Sequence, residues 1–155
     1  MTGPVDPDAA AGRAPAGAPR TRWCELTGHA PDLPWFTADL ASLRPGDLGG
    51  ETGFDLVVLA GNVVPLLAEG TVPAAVASVA ALLGPEGLLV AGFGLDRAHL
   101  PPRCPVTPLE VYDDACAAAG LELVQRLSTW DGDPYDPVAG YAVSVHRTRE
   151  SRTQP

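Results

Sequence analysis

Asp96, Arg97 and His99 fall in a loop-like stretch, Gly94 to Val106, directly after an apolar run that ends at Phe93. Imidazole changes charge near neutral pH, so His99 is a candidate base for a proton transfer. The plainer reading of a loop histidine is a solvated side chain. Trp130, Asp131 and Tyr135 lie in a segment rich in Pro, Gly and Asp. They read either as one wall of a substrate pocket or as a turn with an aromatic anchor. Other chemistries fail on spacing. Cys24 with His29, and Cys104 with Cys116, lack the paired short spacings of zinc sites. Ser78 falls inside a helical pattern and Ser144 in a strand, with no nucleophile motif around either. Cys116 lies on an apolar helix face and reads as core. His146 reads as an exposed position on the last strand.

The frame around these residues is a chain of 155 residues, enough for one domain. Its 19 acidic residues outnumber 10 basic ones, all of them Arg, for a net charge of −9. That balance argues against nucleic acid or an anionic membrane as partner. No apolar run reaches the roughly 20 residues of a spanning helix, and the N-terminus lacks the pattern of a secretory signal. Three cysteines make no disulfide framework. The expectation is a cytoplasmic protein without nucleic-acid or membrane partners. Residues 1–31, dominated by Pro, Gly, Ala and Asp, are expected to be disordered. A domain is expected over 32–148 and a loose tail over 149–155.

Within that domain, Leu33 to Ala38 reads as a short strand weakened by Pro34. Phe54 to Ala60 is a continuous apolar run, the pattern of a strand covered on both faces. Thr71 caps a helix with Pro73 in its first turn and Val72, Val76, Val79 and Leu83 on one stripe. Gly84-Pro85 stops that helix, and Gly87 to Phe93 forms a second buried strand. Thr107 to Glu110 reads as a capping box opening a helix with Leu109, Tyr112, Cys116 and Ala119 on one face. Leu121 to Trp130 reads as a strand with Leu121, Leu123 and Leu127 on one side. The last strand places Tyr141, Val143 and Val145 on one face. The order is α/β with a terminal antiparallel hairpin.

Phe54-Asp55-Leu56-Val57-Val58-Leu59-Ala60-Gly61-Asn62-Val63-Val64, a helix, and Leu83-Gly84-Pro85-Glu86-Gly87-Leu88-Leu89-Val90 together resemble the later half of class I S-adenosylmethionine-dependent methyltransferases. The resemblance runs from about Leu33 to Arg147. It implies an incomplete Rossmann-like methyltransferase sheet with a C-terminal antiparallel hairpin. It also implies S-adenosyl-L-methionine as cofactor and methylation of an unknown, small acceptor. By the same resemblance, Asp39 would accept from the adenine amino group. Ala60, Gly61 and Asn62 would line the methionine and sulfonium end, while Asp96, Arg97 and His99 would lie near the acceptor. The family's Gly-x-Gly-x-Gly loop has no counterpart in the pattern. Residues 1–8 match the end of the family's second strand poorly. The strand at Phe54 is therefore expected to present a bare hydrophobic edge. The chain is therefore expected to be a truncated gene product, one part of a split enzyme in which a homodimer mate or partner chain supplies the missing strands, or a rearranged fold; the alternative function is a non-catalytic module that pairs through the edge.

Overall fold

The computed structural model describes residues 34–149. The readings for residues 1–31, for Leu33 and for the tail beyond Arg149 lie outside them. Of the described residues, Phe36 to Arg149 belong to one compact unit. Residues 34–39 form no strand. Asp39 instead starts a 3-10 turn at Leu40–Ser42, with its Oδ1 accepting from the Ala41 backbone N–H at 2.9 Å. Pro34 removes a ladder donor, and the aspartate's own turn competes with extended pairing.

Strand β1 (Phe54–Leu59) leads into a one-turn helix, α1 (Val63–Leu66), that the sequence pattern did not indicate. Helix α2 (Val72–Ala80), strand β2 (Leu83–Gly94), helix α3 (Leu109–Ala118) and strands β3 (Leu121–Leu127) and β4 (Tyr141–Thr148) follow. The sheet order is β1-β2-β4-β3. β1 and β2 are parallel, and β4 runs antiparallel to both β2 and β3.

One face of the sheet carries the core. Leu59, Leu89, Ala91 and Phe93 meet Val72, Val76 and Val79 of α2 and Tyr112, Ala115 and Cys116 of α3. The stripe expected on α2 is correct up to Val79, but Leu83 already belongs to β2. Thr71 holds the N-cap position by backbone alone, because its hydroxyl donates to Ala68 O at 2.7 Å. The capping box at α3 does not form. Pro108 occupies the N-cap in an extended conformation and has no side-chain cap, which leaves Thr107 one residue too early.

β1 is not covered on both faces: Leu56 is 52% exposed and Val58 48%. Among the described residues β1 also has no neighbour on its outer side, so the bare edge expected from the sequence is present. The face of β3 needs correction as well. Leu123 pairs with His146, but Gln125 pairs with Val145 and Leu127 with Val143, so the register slips between Leu123 and Gln125. One extra residue exchanges the faces of a strand. Leu127 therefore joins Val143 on the face away from the helices, and Arg126 turns toward Asp113 of α3, with Nη2 donating to Oδ1 at 2.6 Å.

The same register settles β4. Tyr141, Val143 and Val145 do share a face, but the helix-covered face is Ala142, Ser144 and His146, opposite Phe93, Ala91 and Leu89. His146 is thus buried at 2% exposure, not exposed as expected, and its ring stands edge-on to Tyr112 at 5.4 Å. Burial holds its pKa below the ordinary 6.5, against the attraction of Asp113 and with help from Arg126. The unfolded chain therefore binds a proton there that the folded chain resists. The stability from keeping His146 neutral is complete above about pH 6.5 and declines as pH falls below it. Urea unfolding at pH 7.5, 6.5 and 5.5 should show this decline, and His146→Gln should flatten it. Equal slopes for both proteins would remove His146 from the account.

Candidate active site

Strand β1 ends at Leu59, opposite Ala91, while β2 runs on to Gly94, and the residues of interest lie beyond these carboxyl ends. Gly61 leaves β1 with φ +76°, and an added Cβ there would meet nothing within 4 Å. Asn62 follows in the left-handed region at φ +65°. Its backbone N–H donates to Gly92 O at 3.4 Å. Its side chain is an arch between two strands: Oδ1 accepts from Gly94 N at 2.7 Å, and Nδ2 donates to His99 O at 3.2 Å. Asn62 thereby fixes the loop that carries His99 onto the end of β2.

Asp96 organises that loop. Its Oδ1 accepts from the backbone N–H groups of Ala98 and His99 at 2.9 and 3.1 Å, and lies 2.8 Å from His99 Nδ1. The hydrogen bond from His99, followed by these backbone donors, holds the Asp96 carboxyl below its usual range. With Nδ1 turned to Asp96, Nε2 is the nitrogen left to meet a ligand. The His99 side chain is 42% exposed, so a ligand can reach it. An imidazole whose orientation is fixed by a carboxylate in this way is built to accept a proton at a defined point.

Three glycines make room for this arrangement. At Gly94 an added Cβ would stand 2.6 Å from His99 O. At Gly140, where φ is +72°, it would run into Asp96 Oδ2 and His99 Nδ1. At Gly92 it would run into the indole of Trp130. Trp130 therefore packs against Gly92 of β2, half-exposed, with Nε1 donating to Tyr141 Oη at 3.1 Å. The Tyr141 ring is 6.4 Å from that of His99. Although Gly92-Phe93-Gly94 resembles a cofactor loop in spacing, its open positions are filled by Trp130 and His99.

The structure thus gathers Asn62, Asp96, His99 and Trp130, and adds Tyr141, which the pattern placed only as a strand residue. The Asp-x-x-His spacing and the Gly-x-Gly at the end of β2 are the signals that could have found the cluster. Arg97 points elsewhere, with Nη1 donating to Cys104 O at 3.2 Å. Tyr135 lies under the Arg126 guanidinium, 5.7 Å from it. Asp131, Ala60 and Asp39 are exposed, and Asp39 is occupied through Oδ1 by its turn. Cys116 is core as expected, its thiol pushed up to about 12 by burial. Among the described residues no helix is long and apolar enough to cross a membrane.

No family model and no curated protein matches the chain. Solved structures do. A TehB-like S-adenosylmethionine-dependent methyltransferase from Corynebacterium glutamicum is 29% identical, with a TM-score of 0.67 over 79% of this chain and 60% of that one. CalS10, an amino pentose methyltransferase from Micromonospora echinaspora solved with S-adenosylmethionine bound, is 19% identical, with a TM-score of 0.62 over 82% and 70%. NodS, an N-methyltransferase from Bradyrhizobium japonicum solved with S-adenosylhomocysteine, is 20% identical, with a TM-score of 0.57 over 83% and 61%. The chain carries the class I methyltransferase fold. It matches about 60% of the length of the Corynebacterium protein. The open four-stranded sheet, with its parallel β1–β2 pair and antiparallel β3–β4 hairpin, agrees with the incomplete Rossmann-like sheet that the sequence resemblance implies.

Proposed function

We propose that this chain takes part in S-adenosyl-L-methionine-dependent methylation of a small molecule, with His99 as the base. The observation that carries the reading is the Asp96–His99 pair at the ends of β1 and β2, since ligands of open α/β sheets bind beyond the carboxyl ends of the strands. S-adenosyl-L-methionine, when bound, supplies an electrophilic methyl group on a sulfonium sulfur. Gly61 suits such a ligand, because its backbone faces open space and no Cβ keeps a ligand away. The exposed Ala60 would lie beside it. The second oxygen of Asp39 would be the one to accept from the adenine amino group. Asn62 acts on the acceptor side, since its amide arches to Gly94 and His99.

The unpaired outer side of β1, with Leu56 and Val58 beside it, supports a further requirement: additional strands, from a second copy or a partner chain, that complete the cofactor's bed. The same edge supports a second reading, a non-catalytic module that pairs through β1. Calorimetric unfolding with S-adenosylhomocysteine separates the two. At 100 times its dissociation constant the ligand should add about 2.7 kcal/mol and raise Tm by several degrees. An unmoved Tm, together with a concentration-dependent increase in assembly size, would favour the pairing module.

A further inference from the structure

The outer side of β1 restricts what can pair with it. Among the described residues no strand lies beside it. Leu56 and Val58 stand half-exposed, in register with Leu88 and Val90, on the sheet face away from the core residues Leu59 and Leu89. Paired residues of neighbouring strands share a face of the sheet. Two copies of β1 that pair antiparallel about a two-fold axis must therefore have one residue on the axis: Asp55, Leu56, Val57 or Val58.

Charge and length choose among the four. With Asp55 on the axis, two carboxylates stand directly opposite, which destabilises a strand pair. With Leu56 there, the carboxylates are about 8 Å apart, and with Val57 about 14 Å, beyond the Debye length at physiological salt. An axis at Val58 leaves only Val57 to Leu59 of the strand to pair. At Val57 the strand is self-complementary: Asp55 meets Leu59, and each half-exposed Leu56 meets a half-exposed Val58. We propose that two copies of this chain pair antiparallel through β1 about a two-fold axis at Val57, joining their sheets into one. This register also carries the partner subunit's Gly53 toward Gly61, beyond the end of β1. An added Cβ at Gly50, Gly53 or Gly61 meets nothing within 4 Å, so backbone from both copies is open to a ligand. Resting on the cofactor reading above, each site is shared between Gly61 of one protomer and the turn at residues 50–53 of its partner.

Sedimentation of the full chain should show a monomer–dimer equilibrium that shifts with concentration. Leu56→Asp combined with Val58→Asp sets like charges directly opposite and should give a monomer. Both side chains are half-exposed, so this variant should still unfold cooperatively. Disulfides in a Cys24→Ser background read the register. Leu56→Cys mixed with Val58→Cys should cross-link, because directly opposite Cβ atoms lie about 5 Å apart. Either variant alone should not, because its own counterpart lies about 7–8 Å away. A parent chain that is monomeric at all concentrations, or single variants that cross-link as well as the mixture, would overturn the proposal. S-adenosylhomocysteine is read separately. A rise in Tm for the parent that the monomeric double variant lacks supports the shared site, and an equal rise in both overturns it. No rise in a parent that is dimeric strikes the donor reading and leaves the pairing standing.

Discussion

Replacing Tyr112 by alanine is expected to lower the unfolding free energy by about 3–5 kcal/mol, the range for removing a large aromatic from a packed core. Tyr112 is fully buried and stands edge-on between two rings, Phe93 of β2 and His146 of β4, each at 5.4 Å. It therefore joins α3 to two strands of the sheet at once, and the void left by alanine would open between layers that cannot collapse independently. For a domain of ordinary stability, about 5–15 kcal/mol in total, that is a large share. The hydroxyl should behave differently from the ring. It is buried beside the Cys116 thiol, without an ordinary hydrogen-bond partner among the described residues, and desolvation drives its pKa far upward. Burying a hydroxyl without a full partner costs about 1–3 kcal/mol, so Tyr112→Phe should equal or exceed the parent in stability. Urea unfolding of the two variants at pH 7.5 measures both effects. A loss above about 1 kcal/mol in Tyr112→Phe would mean that the hydroxyl has a strong partner.

Tyr112 also marks how far the sequence could be read. Its place on the core face of α3 followed from helical spacing, as did Val72, Val76 and Val79 on α2, because 3.6-residue periodicity survives without knowledge of the neighbours. The parallel pair and the terminal hairpin followed from element order and from runs of apolar residues. The errors lie where a local pattern depends on something distant. The burial of His146 depends on its pairing with Leu89, and the face of Leu127 depends on a bulge at Val124 that no periodicity announces. The apolar run of β1 implied cover on both faces, yet Leu56 and Val58 are half-exposed, since hydrophobicity records what a surface can bury and not what covers it. At the site, Asp96 and His99 were legible as a pair of residue types in one loop. Tyr141 was not, because only the β4 register brings it beside them.

Gly140→Ala is the second large effect. The left-handed conformation at Gly140 costs an L-residue about 1–2 kcal/mol, and a methyl group forced against Asp96 and His99 adds overpacking of about 1–3 kcal/mol, so the expected loss is about 2–5 kcal/mol. A control exists in the same fold. Gly120 has nearly the same φ, +79° against +72°, but an added Cβ there meets nothing within 4 Å. Gly120→Ala should therefore lose only the conformational part, and the difference between the two variants isolates the contact with the pair. The difference has a chemical signature as well. Leu95 N donates to Gly140 O at 2.8 Å, so the loop that carries Asp96 is anchored at this residue, and pushing the carboxylate away should free the imidazole from its fixed orientation. The His99 ring nitrogen shifts, which report which nitrogen carries the proton, should change in Gly140→Ala and not in Gly120→Ala. If the two variants lose equal stability and leave the His99 ring nitrogen shifts equal, the Asp96–His99 pair does not rest on Gly140. The orientation of the base would then come from Asn62 and the Asp96 turn alone.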